Sequence, residues 1–163
     1  MREHRGVTAT VSPLEQLSEA LRTELAAKAV TDLARLSGGA SRETWSFKAD
    51  DRPLILQRQR KGDIRDMGVE ARVVQAAFNA GVPVPELIAN GSGDIGLAFM
   101  ILSHIEGETI ARKILRDEQF ADARTKLVAQ SAHALAALHS IDASTITGLP
   151  SIDQVQQYRE TLD

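Results

Sequence analysis

The chain has 163 residues, 43% of them apolar and 25% charged, with a formal net charge of -3. That length supports one compact domain with a core, and the near-balanced charge and scarce aromatics exclude a strongly basic or base-stacking nucleic-acid surface. The absence of cysteine removes disulfides, thiolate metal sites and thiol nucleophiles together, and fits a cytoplasmic protein.

Residues 1–10 are polar and do not read as a signal peptide, and no run approaches the ~20 apolar residues that cross a bilayer. Residues 1–12 are expected to be a leader. The first helix is expected over 13–36. Ser12 caps it, Pro13 suits its first turn, and Glu15 completes a Ser-x-x-Glu capping box. Leu14, Leu17, Leu21, Leu25, Leu33 and Leu36 recur at helical spacing. Gly38-Gly39 then ends the pattern.

The period changes after residue 37. Thr44-Trp45-Ser46-Phe47 reads as a strand, residues 50–53 as a turn, and 54–58 as a second strand paired to the first as a hairpin. A charged loop over 60–66 leads to a helix over 67–80, with Gly81 as its left-handed cap. Val82-Pro83-Val84-Pro85 must be extended. A short strand over 87–89, a turn over 90–94 and a strand over 97–105 follow. With the stretch before Ser41 counted, the expected sheet has five antiparallel strands.

Beyond Gly107 the chain is expected to be helical, over 109–115 and 118–139. Phe120, Leu127, Ala134, Leu135 and Leu138 form the expected buried stripe of the longer helix. Gly148-Leu149-Pro150 is a turn, and a last helix begins in the tail.

Three features point to phosphate chemistry. Ser37-Gly38-Gly39-Ala40-Ser41 lets backbone amides approach an anion closely, although such a segment is also an ordinary turn. Arg58 ends the strand after it, and Glu70 lies early on the next helix. A cation held by a carboxylate is positioned for phosphate, whereas isolated charges at these places are ordinary surface residues.

These motifs, in this order, resemble the N-terminal part of the aminoglycoside phosphotransferase-like family of the protein-kinase-like superfamily. Residues 38–45, Gly-Gly-Ala-Ser-Arg-Glu-Thr-Trp, are similar to the family pattern Gly-Gly-x-Ser-Asn-x-Thr-Tyr, with Arg42 and Trp45 as departures. Residues 70–74 resemble the helix with the ion-pair glutamate. Ala80-Gly81-Val82-Pro83-Val84-Pro85 is the most distinctive match, and residues 99–107 resemble the last strand and hinge. Leu138-His139 with Asp142 resembles the end of the first helix after the hinge. The resemblance covers roughly residues 33–160.

The resemblance implies an α+β fold: a kinase-like N-lobe over 13–105, preceded by a helix, and the first helices of an incomplete C-lobe over 106–163. It implies ATP bound by Gly38, Gly39, Ala40, Ser41, Leu56, Arg58, Glu70, Leu102, Ser103 and Ile105, with Ser103 and Ile105 offering backbone groups to adenine and Leu102 behind the base. The family's strand cation falls at Gln57 or Arg58. Side chains alternate along a strand, so only one of them faces the cleft. Arg58 is favoured if Leu54 and Leu56 line the adenine site.

Intact relatives transfer the ATP γ-phosphate to a hydroxyl of a small-molecule acceptor. The family's catalytic His-Gly-Asp segment is not matched, because His4, His104, His133 and His139 are followed by Arg, Ile, Ala and Ser. The catalytic and magnesium-binding aspartates are therefore absent from this chain, and magnesium is expected only with the missing part. The spacing of His and acidic residues indicates no protein-held metal. The alternative reading is a non-catalytic nucleotide-binding or protein-interaction module. The tail helix breaks off in mid-pattern, which suggests truncation or a domain boundary. Helices after Gly107 are expected to carry apolar faces that favour a dimer.

Overall fold

The computed structural model describes residues 11–36, 42–151 and 153–162. Helix α1 (Pro13–Glu24) starts as the capping box dictates. The Glu15 amide donates to Ser12 Oγ at 3.2 Å, and the Ser12 amide donates to Glu15 Oε2 at 2.7 Å. The Ser12 amide, and after it the Ser12 hydroxyl, hold the Glu15 carboxyl below its ordinary value.

The helix ends twelve residues earlier than its leucine spacing suggests. Ala26 takes φ 49°, its amide donates to Thr23 O, and the Ala27 amide donates to Arg22 O. This is a Schellman ending with alanine where glycine is usual, so the sequence carries no stop signal. Asp50 secures the exit: its carboxylate accepts from the amides of Lys28 (2.9 Å) and Ala29 (3.0 Å). Those bonds hold the Asp50 carboxyl below its ordinary value. The residues expected to continue the helix instead form strand β1 (Val30–Arg35).

Strands β2 (Arg42–Ala49) and β3 (Arg52–Gln59) follow. Their two-residue turn, Asp50-Asp51, has φ 48° and 67°, the left-handed pair that suits a twisted hairpin. Helix α2 (Met67–Asn79) precedes strands β4 (Leu87–Gly93) and β5 (Gly96–Ser103). The sheet is antiparallel in the order β1-β2-β3-β5-β4. The β4–β5 turn is Asp94-Ile95, not residues 90–94. Edge strand β4 runs through its glycines, with irregular register after Leu87 and Gly91, the sort of place where a sheet tolerates glycine.

Two compact units are present, one of residues 1–68 with 85–107, the other of residues 69–84 with 108–163. The first holds the sheet and α1. Leu17 and Leu21 of α1 join Phe47, Leu54, Leu56, Phe99 and Ile101 in one buried cluster. Ile95 from the β4–β5 turn belongs to the same cluster.

The second unit holds most of α2 with α3 (Ala111–Arg116), α4 (Ala121–His139) and α5 (Gln154–Leu162). Helix α2 ends in a glycine Schellman motif: Gly81 (φ 78°) donates to Phe78 O and Val82 to Ala77 O. Arg72 Nε donates to Thr147 O at 2.7 Å. The expected buried stripe of α4 is not buried. Leu127, Leu135 and Leu138 are exposed, and Phe120 and Ala134 are only half-buried.

Leu21 has no exposed surface, so Leu21→Ala is expected to cost about 2–5 kcal/mol in urea unfolding. Ala26→Gly is expected to stabilise by about 0.5–1 kcal/mol, because the left-handed conformation is strained for alanine and free for glycine. A destabilised Ala26→Gly chain would contradict the observed helix ending.

Candidate functional site

The β2–β3 register decides which side chains meet. Directly paired residues lie on the same face of a sheet, and neighbours along a strand lie on opposite faces. The pairs Glu43↔Arg58, Trp45↔Leu56 and Phe47↔Leu54 place these six on one face. The pairs Arg42↔Gln59, Thr44↔Gln57 and Ser46↔Ile55 occupy the other. Across β3–β5, Leu56 pairs with Ile101, and Ile55 with Leu102.

Arg58 therefore does share a face with Leu54 and Leu56. That face is the one α1 covers, and Leu56 has no exposed surface. Leu102 lies on the opposite face, so Leu56 and Leu102 do not line one pocket. The Arg58 head is held among polar groups of its own face. Nε donates to Glu43 Oε2 at 2.6 Å, and Nη1 donates to Ile95 O at 3.1 Å. Its guanidinium carbon sits 5.6 Å from the centroid of the Trp45 ring, within cation–π range. Gly96 lies alongside the Arg58 stem, where a Cβ would make ordinary contact at 3.5 Å.

Burial works against ionisation of Glu43, yet the Arg58 guanidinium, helped by Arg35 and the Trp45 indole, holds its carboxyl below 4.5. The buried Trp45 Nε1 lies outside hydrogen-bond geometry, so its help is an attraction at longer range. Arg35 Nη2 adds a 3.2 Å contact to Glu43 Oε1.

On the opposite face Arg42 Nη1 donates to Gln57 Oε1 at 3.3 Å. Gln59 Nε2 donates to the carbonyls of Asp63 (2.7 Å) and Arg65 (2.8 Å), fastening the loop after β3 to the sheet. The Asp63 carboxyl is held below its ordinary value mainly by Arg65, with a smaller attraction from Arg42. Sequence reasoning noted Arg42 only as a departure from a motif. The signal available was its parity with Gln57, which needs the strand register to become visible.

At the end of β5 the sheet takes up the amides of Ser103 and His104. Ser103 N donates to Glu86 O (2.9 Å) and His104 N to Pro53 O (3.3 Å). Ser103 Oγ accepts from the Glu86 amide at 3.0 Å. Leu102 is buried, while Ile105 lies beyond the strand and is exposed. Gly38, Gly39, Ala40 and Ser41 lie outside the described residues. Glu70 lies in the first turn of α2, in the second unit.

His133 Nδ1 lies 2.8 Å from Ala129 O along its own helix, and His139 is in the last turn of α4. Asp142 caps the following turn through Ser144, whose hydroxyl and amide hold its carboxyl below the ordinary value. Among the described residues, no three His, Asp or Glu side chains converge as a metal site. No helix among them is long and apolar enough to cross a membrane.

A five-stranded antiparallel sheet, with the helix α2 inserted between β3 and β4 and helices following β5, is the architecture of a kinase-like N-terminal lobe. The chain belongs to the phosphotransferase enzyme family (APH), which matches residues 32–160. Among solved structures it is similar to aminoglycoside phosphotransferase APH(4)-Ia, with 24% identity, a TM-score of 0.56, and coverage of 78% of this chain and 40% of that one. It is similar also to a thermostable mutant of that enzyme in ternary complex with AMP-PNP and hygromycin B (24% identity, TM-score 0.56, 79% and 40% coverage). Another such mutant, in complex with ADP and hygromycin B, shows 23% identity, a TM-score of 0.54, and 78% and 40% coverage. These likenesses show the fold, and this chain spans 40% of the length of those enzymes. No curated protein matches the sequence.

Glu43 has a lowered pKa in the folded state, so its pair with Arg58 stabilises fully above the unfolded value and is lost as pH falls through the folded one. Glu43→Gln is expected to cost roughly 1–2 kcal/mol at pH 7. The deficit should shrink towards zero on acidification below about pH 4.5, read by urea unfolding at each pH. A deficit independent of pH would mean the pair is not ionic.

Proposed function

We propose that this chain is the ATP-binding part of a small-molecule phosphotransferase. The supporting observation is the sheet face shared by Arg42, Gln57 and Leu102, which sets a guanidinium on the same side as the apolar residue at the hinge. On this reading the adenine edge meets backbone groups at the hinge. Ser103 N and His104 N are engaged within the sheet, so Ile105, the next residue, offers the amide. Leu102 backs the base. Backbone amides of residues 38–41 and a strand guanidinium receive the phosphates.

Bound ATP supplies the transferable γ-phosphoryl group. The residues of this chain fix its position and neutralise its charge, and electrostatic positioning is most of what phosphoryl transfer asks of a protein. The steps that need an aspartate base and a magnesium ligand have no candidate here, since no His-x-Asp segment occurs in the sequence. We assign both, and the acceptor site, to residues outside this chain. The acceptor class is a small molecule bearing a hydroxyl, and a cytoplasmic site of action follows from the need for ATP.

Titration of the purified chain with ATP and with adenosine, followed by calorimetry, tests the reading. Saturable binding of both is expected, with ATP the tighter ligand, and no phosphoryl transfer to water or to aminoglycosides. Absence of binding to either would overturn the nucleotide assignment, and measurable transfer would overturn the division of labour. The exposed Leu127, Val128, Leu135 and Leu138 on α4 are expected to drive a concentration-dependent dimer. Sedimentation that stays monomeric at high concentration would contradict this.

A further inference from the structure

Strands β2 and β3 each carry one guanidinium near the same end, and the register separates them. Arg58 is on the α1 side, balanced by Glu43 and directed at Ile95 O. Arg42 is on the side of Gln57 and Leu102, one peptide unit beyond Ser41 at the end of the glycine segment. The strand position that shares the Leu102 face is 57, and it holds a neutral glutamine. That glutamine offers its amide oxygen to Arg42 at 3.3 Å. A lysine at 57 would repel Arg42, whereas glutamine accepts a hydrogen bond from it and fixes its direction.

Building on the nucleotide reading above, we infer that Arg42, positioned by Gln57, is the cation of this chain that receives the nucleotide phosphates, and that Arg58 is structural. The charge missing from β3 is supplied from β2, across one hydrogen bond. The chemistry is suitable. A guanidinium presents parallel N–H donors that match two phosphate oxygens, and its charge persists at any physiological pH. Arg42 also exerts a weak attraction on the Asp63 carboxyl of the loop after β3, whose main partner is Arg65.

The test compares ATP and adenosine affinities of the full chain carrying Arg42→Met, Arg58→Met, or the pair Arg42→Asn with Gln57→Lys. Arg42→Met is expected to weaken ATP by about tenfold or more while leaving adenosine within about twofold, the signature of a lost charge-assisted contact to phosphate. Arg58→Met is expected to lower the melting temperature and leave the ratio of the two affinities unchanged. The double variant, which returns the cation to β3, is expected to recover most of the ATP affinity. If the unsubstituted chain binds ATP and Arg42→Met keeps the ratio, the Arg42 assignment is overturned and the nucleotide reading stands. Equal losses for ATP and adenosine would also overturn it, since they indicate a structural role. An unsubstituted chain that binds neither ligand overturns both.

Discussion

Alternation of side chains across a paired β2 and β3 governs most of what this chain can do. The eight residue pairs between the two strands run without a slip from Arg42↔Gln59 to Ala49↔Arg52. A shift of one residue would move Leu54 and Leu56 out of the core and bring Ile55 and Gln57 into it. The turn fixes that register, because two residues with positive φ admit only a tight two-residue loop. Asp50 then does two jobs, turning the hairpin and holding the backbone between α1 and β1 through its carboxylate.

Helix α1 gives the two faces their different characters. Once Leu17 and Leu21 pack on the Leu54–Leu56 side, polar groups on that side must find partners within it. Arg58 and Glu43 do so, and the aromatic ring of Trp45 and the carbonyl of Ile95 complete the environment. Pairing of this kind mainly avoids the penalty of an unpaired charge and contributes little net stability. Arg58 is thereby tied to the α1 side, while Arg42, bonded to Gln57, lies on the side of Leu102.

The second unit shows how weakly a helical pattern specifies burial. Helix α4 has leucines at helical spacing, yet none of its residues is buried. Arg124 ties it to the short helix before it, donating to the carbonyls of Ile114 and Asp117 at that helix's end. Near α2 the packing is closer. Gly148 has φ 82°, and a Cβ there would come within 2.9 Å of Arg72 and 3.1 Å of Val69. A glycine that reads as a plain turn in the sequence is also a point of close approach.

The start of α1, the β2–β3 hairpin, helix α2 with its glycine ending, and membership of the phosphotransferase family were legible because each rests on short-range chemistry. Capping boxes, turns and glycine caps involve residues within about five positions of one another. The end of α1 was not legible, because alanine took the left-handed position that glycine would have announced. The β4–β5 turn was misplaced for a related reason: glycines inside an irregular edge strand look like a turn until the pairing partner is known. The sequence by itself determined that Gln57 and Arg58 lie on opposite faces of β3, since a strand has a period of two. Only the tertiary structure decided which of them shares the covered face, because the identity of a face depends on what packs on it, and α1 covers the side of Arg58.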